Sequence, residues 1–292
     1  TMGTELATGE GLRTEPRTLT DRKSVWERTQ KAGLTEAEVG YLWMDDSLGL
    51  ILDQLDSLGI ADNTIVLFVS DHGSERKGSL IKTRGTEIPC LIRWPKVIKP
   101  GSVSHGLLQN TDFVPTWFEL AGAKIPEEYR IDGKSLVPMF EDPSISVREF
   151  IYAEQGAARA IKTDTLEYLS IRYTDEQIAM AQSKRSDRTC KTLLGLSSGI
   201  SRARYFHPDI FSADQLYDLS KDPNSQKNVA DDSSYAGQLK KMKAILTRTV
   251  KELGPRPYGD FVPGKGTSDA EASQKVLDQL AAYHAKENKK KK

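Results

Sequence analysis

The sequence predicts an α/β fold with mostly parallel strands and helices on their faces, followed by a smaller antiparallel α+β subdomain. Three observations carry this. Helical and strand-like periods alternate between residues 36 and 121. The strand-like run there is nearly continuous in β-branched and aromatic residues, the pattern of a strand buried on both faces. Beyond about Asp132 the segments shorten and take up a two-residue alternation, which suits antiparallel pairing.

The first strong element is a helix from about Glu36 to Gly59. Thr35 can act as its N-cap with Glu38 three residues on, and Val39, Leu42, Trp43, Ile51, Leu52, Leu55 and Leu58 follow the helical period. After the polar turn Ala61-Asp62-Asn63, residues Thr64 to Ser70 read as a buried strand that stops at Asp71-His72-Gly73. A second apolar run, Ile88 to Trp94, leads into the turn-rich Pro95 to Gly101. A short helix follows from Asp112 to Ala121, with Pro115 in its first turn. Phe150-Ile151-Tyr152, Ala160 to Tyr173 and Gln215 to Leu219 then supply the strands of the subdomain. The turn Lys221-Asp222-Pro223-Asn224 and a helix from roughly Tyr235 to Leu253 complete it, and Gly254-Pro255-Arg256-Pro257 stops that helix. The expected organisation is a polar segment (1–34), an α/β part (35–135), the subdomain (136–262), and a linker, further helix and lysine tail (263–292).

Composition narrows the functional classes. At 292 residues and 38% hydrophobic, the chain can bury one substantial core and a smaller second one. Forty-one basic residues balance forty-one acidic ones, which argues against a partner such as nucleic acid or an anionic membrane. Its apolar runs are strand-sized, so no transmembrane helix is expected. The polar N-terminus lacks the apolar stretch of a secretory signal. Two cysteines, Cys90 and Cys190, are too few for a disulfide framework and are not spaced as a zinc site.

Asp71 and His72 form the candidate site. At the carboxyl end of a strand in a parallel sheet, functional groups sit on loops held by a rigid scaffold. A carboxylate and an imidazole on consecutive residues can reach one ion where Gly73 lets the chain turn, and an oxygen-rich set suits Ca²⁺ or Mg²⁺. The three residues alone read more readily as a strand-end turn, since aspartate is a common turn former.

Their surroundings resemble a known family. Asp62 to Gly73, Lys77-Gly78-Ser79-Leu80, Ile88 to Pro95, Pro100-Gly101, Asp112 to Thr116, Leu120-Ala121-Gly122, Asp132 to Leu136, and Leu216 to Leu219 with Lys221-Asp222-Pro223 follow the sulfatase pattern in order and nearly in spacing. The resemblance spans roughly Glu36 to Leu253. It implies part of an alkaline-phosphatase-like sheet and a sulfuric ester hydrolase that holds sulfate with Ca²⁺ or Mg²⁺. Asp71 and His72 match the late pair of metal ligands, and Lys77 matches the lysine that contacts the sulfate. The implied substrate is a sulfated small molecule or carbohydrate, and the implied location is periplasmic, secreted or lysosomal. The loop after Lys77 departs from the pattern, with one extra residue before Pro89 and Lys82-Thr83-Arg84 in place of an acidic, glycine-rich turn.

The same resemblance exposes a gap. Sulfatases make a formylglycine nucleophile from Cys or Ser within Cys/Ser-x-Pro/Ala-x-Arg, and that motif does not occur in this sequence. No catalytic residue is therefore assigned. The early aspartate ligands have one tempting copy, Asp45-Asp46, but their neighbours continue a helical period, so these carboxylates are expected on a helix face. The sequence reads as a C-terminal part that lacks the nucleophile region and is inactive alone. Two rivals remain, a phosphate or phosphonate ester hydrolase of the same superfamily and a non-catalytic binding or structural remnant.

The remaining candidates have ordinary explanations beside functional ones. Cys90 fits a buried strand, and Cys190 has no assigned role. His105 lies in a Gly/Ser-rich connection that suits an exposed loop better than a substrate-facing one. His207, in Arg202-Ala203-Arg204-Tyr205-Phe206-His207, could border an anionic sugar or pack on an edge strand. His284 reads as a surface helix residue, and Lys289 to Lys292 as a solvated tail.

Overall fold

The computed structural model describes residues 6–8, 11–13, 22–73, 85–127, 129, 131–155, 158–173, 179, 209 and 212–253. Cys190, His207, His284 and the lysine tail lie outside them. In chain order the strands are β1 (Leu6–Thr8), β2 (Gly11–Arg13), β3 (Val66–Val69), β4 (Cys90–Arg93), β5 (Ile151–Gln155), β6 (Ala158–Lys162), β7 (Leu166–Ile171) and β8 (Asp214–Asp218). The α-helices are α1 (Arg22–Lys31), α2 (Val39–Ser57), α3 (Phe113–Leu120), α4 (Val137–Glu141) and α5 (Ala236–Leu253). None among the described residues is long and apolar enough to cross a membrane.

The chain divides into two compact units, residues 1–67 with 91–102, and residues 68–90 with 103–292. In the first, β1 and β2 pair antiparallel. Helix α1 was not foreseen in the polar N-terminal segment, whose charge masks a buried Val25 and Thr29. The long helix begins as expected. Glu38 Oε2 accepts from Thr35 N at 2.7 Å and from the Thr35 hydroxyl at 2.8 Å, so the capping pair drawn from the sequence forms at a single 3₁₀ turn before α2.

β3 and β4 form a two-stranded sheet. The expectation of a strand buried on both faces is corrected here: β3 is only half-buried and Val69 is exposed. The physical reason is that no third strand joins this sheet among the described residues.

The second unit holds a closed layer. Strands β5 to β8 run as an antiparallel meander in the order β5-β6-β7-β8, with Ala160 opposite Leu169 and Tyr168 opposite Leu216. This meets the expectation of an antiparallel subdomain. Ile161, Tyr168 and Leu216, opposite one another on β6, β7 and β8, pack with Met242, Leu246 and Val250 of α5 and with Val229 into one apolar core.

Two polar clusters, one partly and one fully buried, brace this unit. Asp214 accepts from the Tyr168 hydroxyl at 2.7 Å, from Arg172 at 2.9 Å and from Lys243 Nζ at 2.5 Å, tying β7, β8 and α5 together. Burial opposes the charge on Asp214, but those three donors outweigh it and hold its carboxyl below the usual range. The fully buried Asp112 carboxylate accepts from Gln109 N and Lys134 N, both at 2.7 Å, and pairs with Arg148 through Nε at 2.8 Å. Thr116 Oγ1 donates to Asp112 O at 2.6 Å and accepts from Leu136 N at 2.9 Å. Gly133 passes so close to Thr111 that a Cβ on it would stand 2.0 Å from the carbonyl oxygen.

Candidate functional site

Three hydrogen bonds shape the turn that ends β3. Ser70 N donates to Pro89 O at 3.4 Å and the Ser70 hydroxyl donates to His72 O at 2.8 Å, folding the chain back after the strand. Gly73 N then donates to Gly85 O at 3.1 Å. Glu87, just beyond, meets Lys162 of β6 at 3.3 Å. The apolar strand thus delivers Asp71 and His72 to a turn pinned on both sides.

The two side chains come together. His72 Nε2 lies 3.4 Å from Asp71 Oδ2, with Asp71 largely open to solvent and His72 about one third exposed. His72 Nδ1 lies 2.9 Å from Gly73 O, so both ring nitrogens face oxygen acceptors. A cation between the pair would need the proton on Nδ1, which leaves the Nε2 lone pair for the ion. Two donors at about 2.3 Å from a shared ion and at right angles would lie about 3.3 Å apart, so the observed spacing fits adjacent ligands on one hard cation. The pair is too small a set to enclose one. Among the described residues, no group of three or more His, Cys, Asp or Glu gathers as a metal cluster.

Lys77 lies outside the described residues, in the segment flanked by Gly73 and Gly85. Asp45 and Asp46 fall within α2, where Arg28 Nη1 donates to Asp46 Oδ1 at 3.0 Å. The helical period that placed them on a helix face was the right guide. Cys90 is half-buried at the start of β4, and burial pushes its thiol pKa up, as expected for an inert strand residue rather than a nucleophile.

His105 lines an open depression of about 630 Å³ with Gly106, Leu107, Ser144, Arg148 and Asp164. Arg148 was missed by the sequence reading. Its partner Asp112 lies 36 residues away, and neither period nor motif marks a lone arginine before a strand as half of a buried pair.

Comparisons with known proteins converge. The family model described as Sulfatase matches residues 39–123. The chain is 31% identical over 200 residues to an ulvan-active sulfatase of Formosa agariphila, covering 66% of this chain and 37% of that protein. It is 28% identical over 218 residues to an N-acetylglucosamine-6-O-sulfatase of Bacteroides thetaiotaomicron, covering 72% of this chain and 34% of that protein. The chain therefore spans about a third of the length of these curated relatives. Among solved structures, BT4656 in complex with its substrate D-glucosamine-2-N,6-O-disulfate superposes with a TM-score of 0.52 at 22% identity, over 82% of this chain and 48% of that one. At that identity the likeness shows a shared fold.

Proposed function

Given that this chain belongs to the sulfatase family, we propose that it is the C-terminal part of a sulfuric ester hydrolase in which Asp71 and His72 supply two ligands to a divalent cation. The observation that carries this reading is the 3.4 Å approach of Nε2 and Oδ2 at the end of β3. Ca²⁺ suits the oxygen-rich set expected of the complete site, with Mg²⁺ the alternative. When bound, such an ion draws charge from the sulfate oxygens as the ester bond breaks.

This chain's own residues then have defined tasks. Asp71 would contribute negative charge to a bound cation, and His72, held at Nδ1 by the Gly73 carbonyl, would offer Nε2 as the second ligand. Lys77 follows Asp71 by six positions on the segment between Gly73 and Gly85, and its ammonium would neutralise a sulfate oxygen. β3 would be one strand of a mostly parallel sheet in the intact domain, which places this turn among the carboxyl-end loops. An ulvan-active sulfatase, an N-acetylglucosamine-6-O-sulfatase and a neighbour in complex with D-glucosamine-2-N,6-O-disulfate support a sulfated carbohydrate as substrate.

Turnover requires more than this chain carries. The nucleophile motif is absent from its sequence, and two ligands hold a hard cation weakly. The chain alone, assayed with an aryl sulfate and Ca²⁺, is expected to show no hydrolysis. Joined downstream of the preceding portion of the Formosa sulfatase, it is expected to complete an active enzyme that Asp71→Ala and His72→Ala each inactivate. Turnover by the chain alone that disappears in Asp71→Ala would contradict the fragment reading, and a fusion indifferent to both substitutions would contradict the ligand assignment.

A further inference from the structure

The peptide unit that joins His72 to Gly73 carries two polar groups, the His72 carbonyl and the Gly73 amide, and both are engaged. The carbonyl accepts from the Ser70 hydroxyl at 2.8 Å, and the amide donates to Gly85 O at 3.1 Å. A peptide is planar, so one held at both ends cannot turn about its axis without breaking one bond or the other. Its orientation bears on the candidate site, because the next carbonyl along, Gly73 O, lies 2.9 Å from His72 Nδ1. The imidazole is therefore tied to backbone whose direction Ser70 helps to set. Its other nitrogen, Nε2, stands 3.4 Å from Asp71 Oδ2.

Ser70 is itself anchored. Its amide donates to Pro89 O at 3.4 Å, so the hydroxyl extends from a residue tied to the segment that leads into β4. A serine hydroxyl bonded two residues along its own chain commonly does no more than close a turn. Here its acceptor belongs to a residue of the candidate pair, and the bond restrains the chain where a glycine would otherwise leave it loose. A pair that brings only two ligands to an ion depends on having both set in advance.

We infer that Ser70 is a positioning residue for the divalent cation: by holding the His72 carbonyl, its hydroxyl sets the imidazole so that Nε2 and the Asp71 carboxylate converge on one ion. The inference rests on the ligand assignment proposed above and adds to it a residue that touches neither ion nor substrate. Removing a group that orients a metal ligand from behind costs about 10- to 100-fold in affinity. The lower end applies here, because Ser70 acts through the backbone and not on the ring directly.

The test is a Ca²⁺ titration of the chain, followed through the amide resonances of Asp71, His72 and Gly73, which report weak binding as readily as tight. Ser70→Ala should raise the dissociation constant by about tenfold. Ser70→Thr restores a hydroxyl at a strand end, where a β-branched residue is well accommodated, and should bind as the parent does. Amide exchange across β6 and β7 should be the same in all three proteins, which separates a misplaced ligand from a loosened fold. An unchanged dissociation constant in Ser70→Ala, with binding lost in Asp71→Ala, overturns the role of Ser70 and leaves the ligand pair standing. Parent resonances that ignore Ca²⁺ overturn both. Weakened binding that Ser70→Thr does not restore, or that comes with faster exchange in β6 and β7, also overturns the role of Ser70, because the hydroxyl would then not be what sets the ligand.

Discussion

Helices α2 and α5 are nearly equal in length, nineteen and eighteen residues, yet α5 buries Met242, Leu246, Thr249 and Val250 while α2 buries nothing. The difference is not one of apolar content, since α2 is the more apolar of the two. What differs is the surface available to each. The stripe of α5 is matched by Ile161, Tyr168 and Leu216 on a four-stranded sheet, so that layer closes on itself. Among the described residues, the stripe of α2 belongs to a region with a two-stranded sheet and no core of comparable size. One region closes a core of its own among the described residues, and the other leaves its more apolar helix without a buried residue.

Substitutions should separate the two regions, and the largest effect is expected in the self-contained one. Arg148→Met leaves the fully buried Asp112 without its cationic partner and should cost about 3–5 kcal/mol in urea unfolding. Leu246→Ala removes a fully buried side chain from the core beneath α5, and a loss of about 2–5 kcal/mol is expected. A stability change near zero in either variant would mean that this layer is not closed.

Acid should also act on the closed layer. The Asp214 carboxyl is held below the ordinary range, so its contribution is fully present above the unfolded-state pKa, about 4, and is lost as pH falls through the lower folded value. The urea midpoint of this layer should therefore drop on acidification below about pH 4, and Asp214→Asn should flatten that part of the profile. At the other extreme, Ile51→Ala in the isolated chain should change stability by no more than about 0.5 kcal/mol, because its side chain is already in water. A large loss there would show that the stripe is covered within this chain.

Much of this was legible in local sequence. The capping pair Thr35 and Glu38, the strand before Asp71 and the run at Gln215 that became β8 formed at their expected places, while the single run expected from Ala160 to Tyr173 divides into β6 and β7. Several residues that carried the family resemblance prove to be structural. Asp112, Thr116, Gly133 and Lys134 belong to the buried clamp around the start of α3. Arg148 was not legible, because a charge is buried by a partner far along the chain and leaves no periodic trace. The half-exposure of β3 was not legible either. A strand's composition records the environment it is built for, and β3 has apolar residues on both faces with one neighbouring strand among those described.

At the candidate site the sequence identified the pair, and the structure adds its geometry: one imidazole nitrogen oriented by a carbonyl, the other facing a carboxylate. Two ligands rather than a complete set is the central claim, and calcium binding tests it most directly. Isothermal titration of the isolated chain with Ca²⁺ should give a dissociation constant weaker than about 0.1 mM, with the heat lost in Asp71→Ala. Micromolar binding that survives Asp71→Ala would contradict the account, because the ion would then be held elsewhere by a site that does not need this pair.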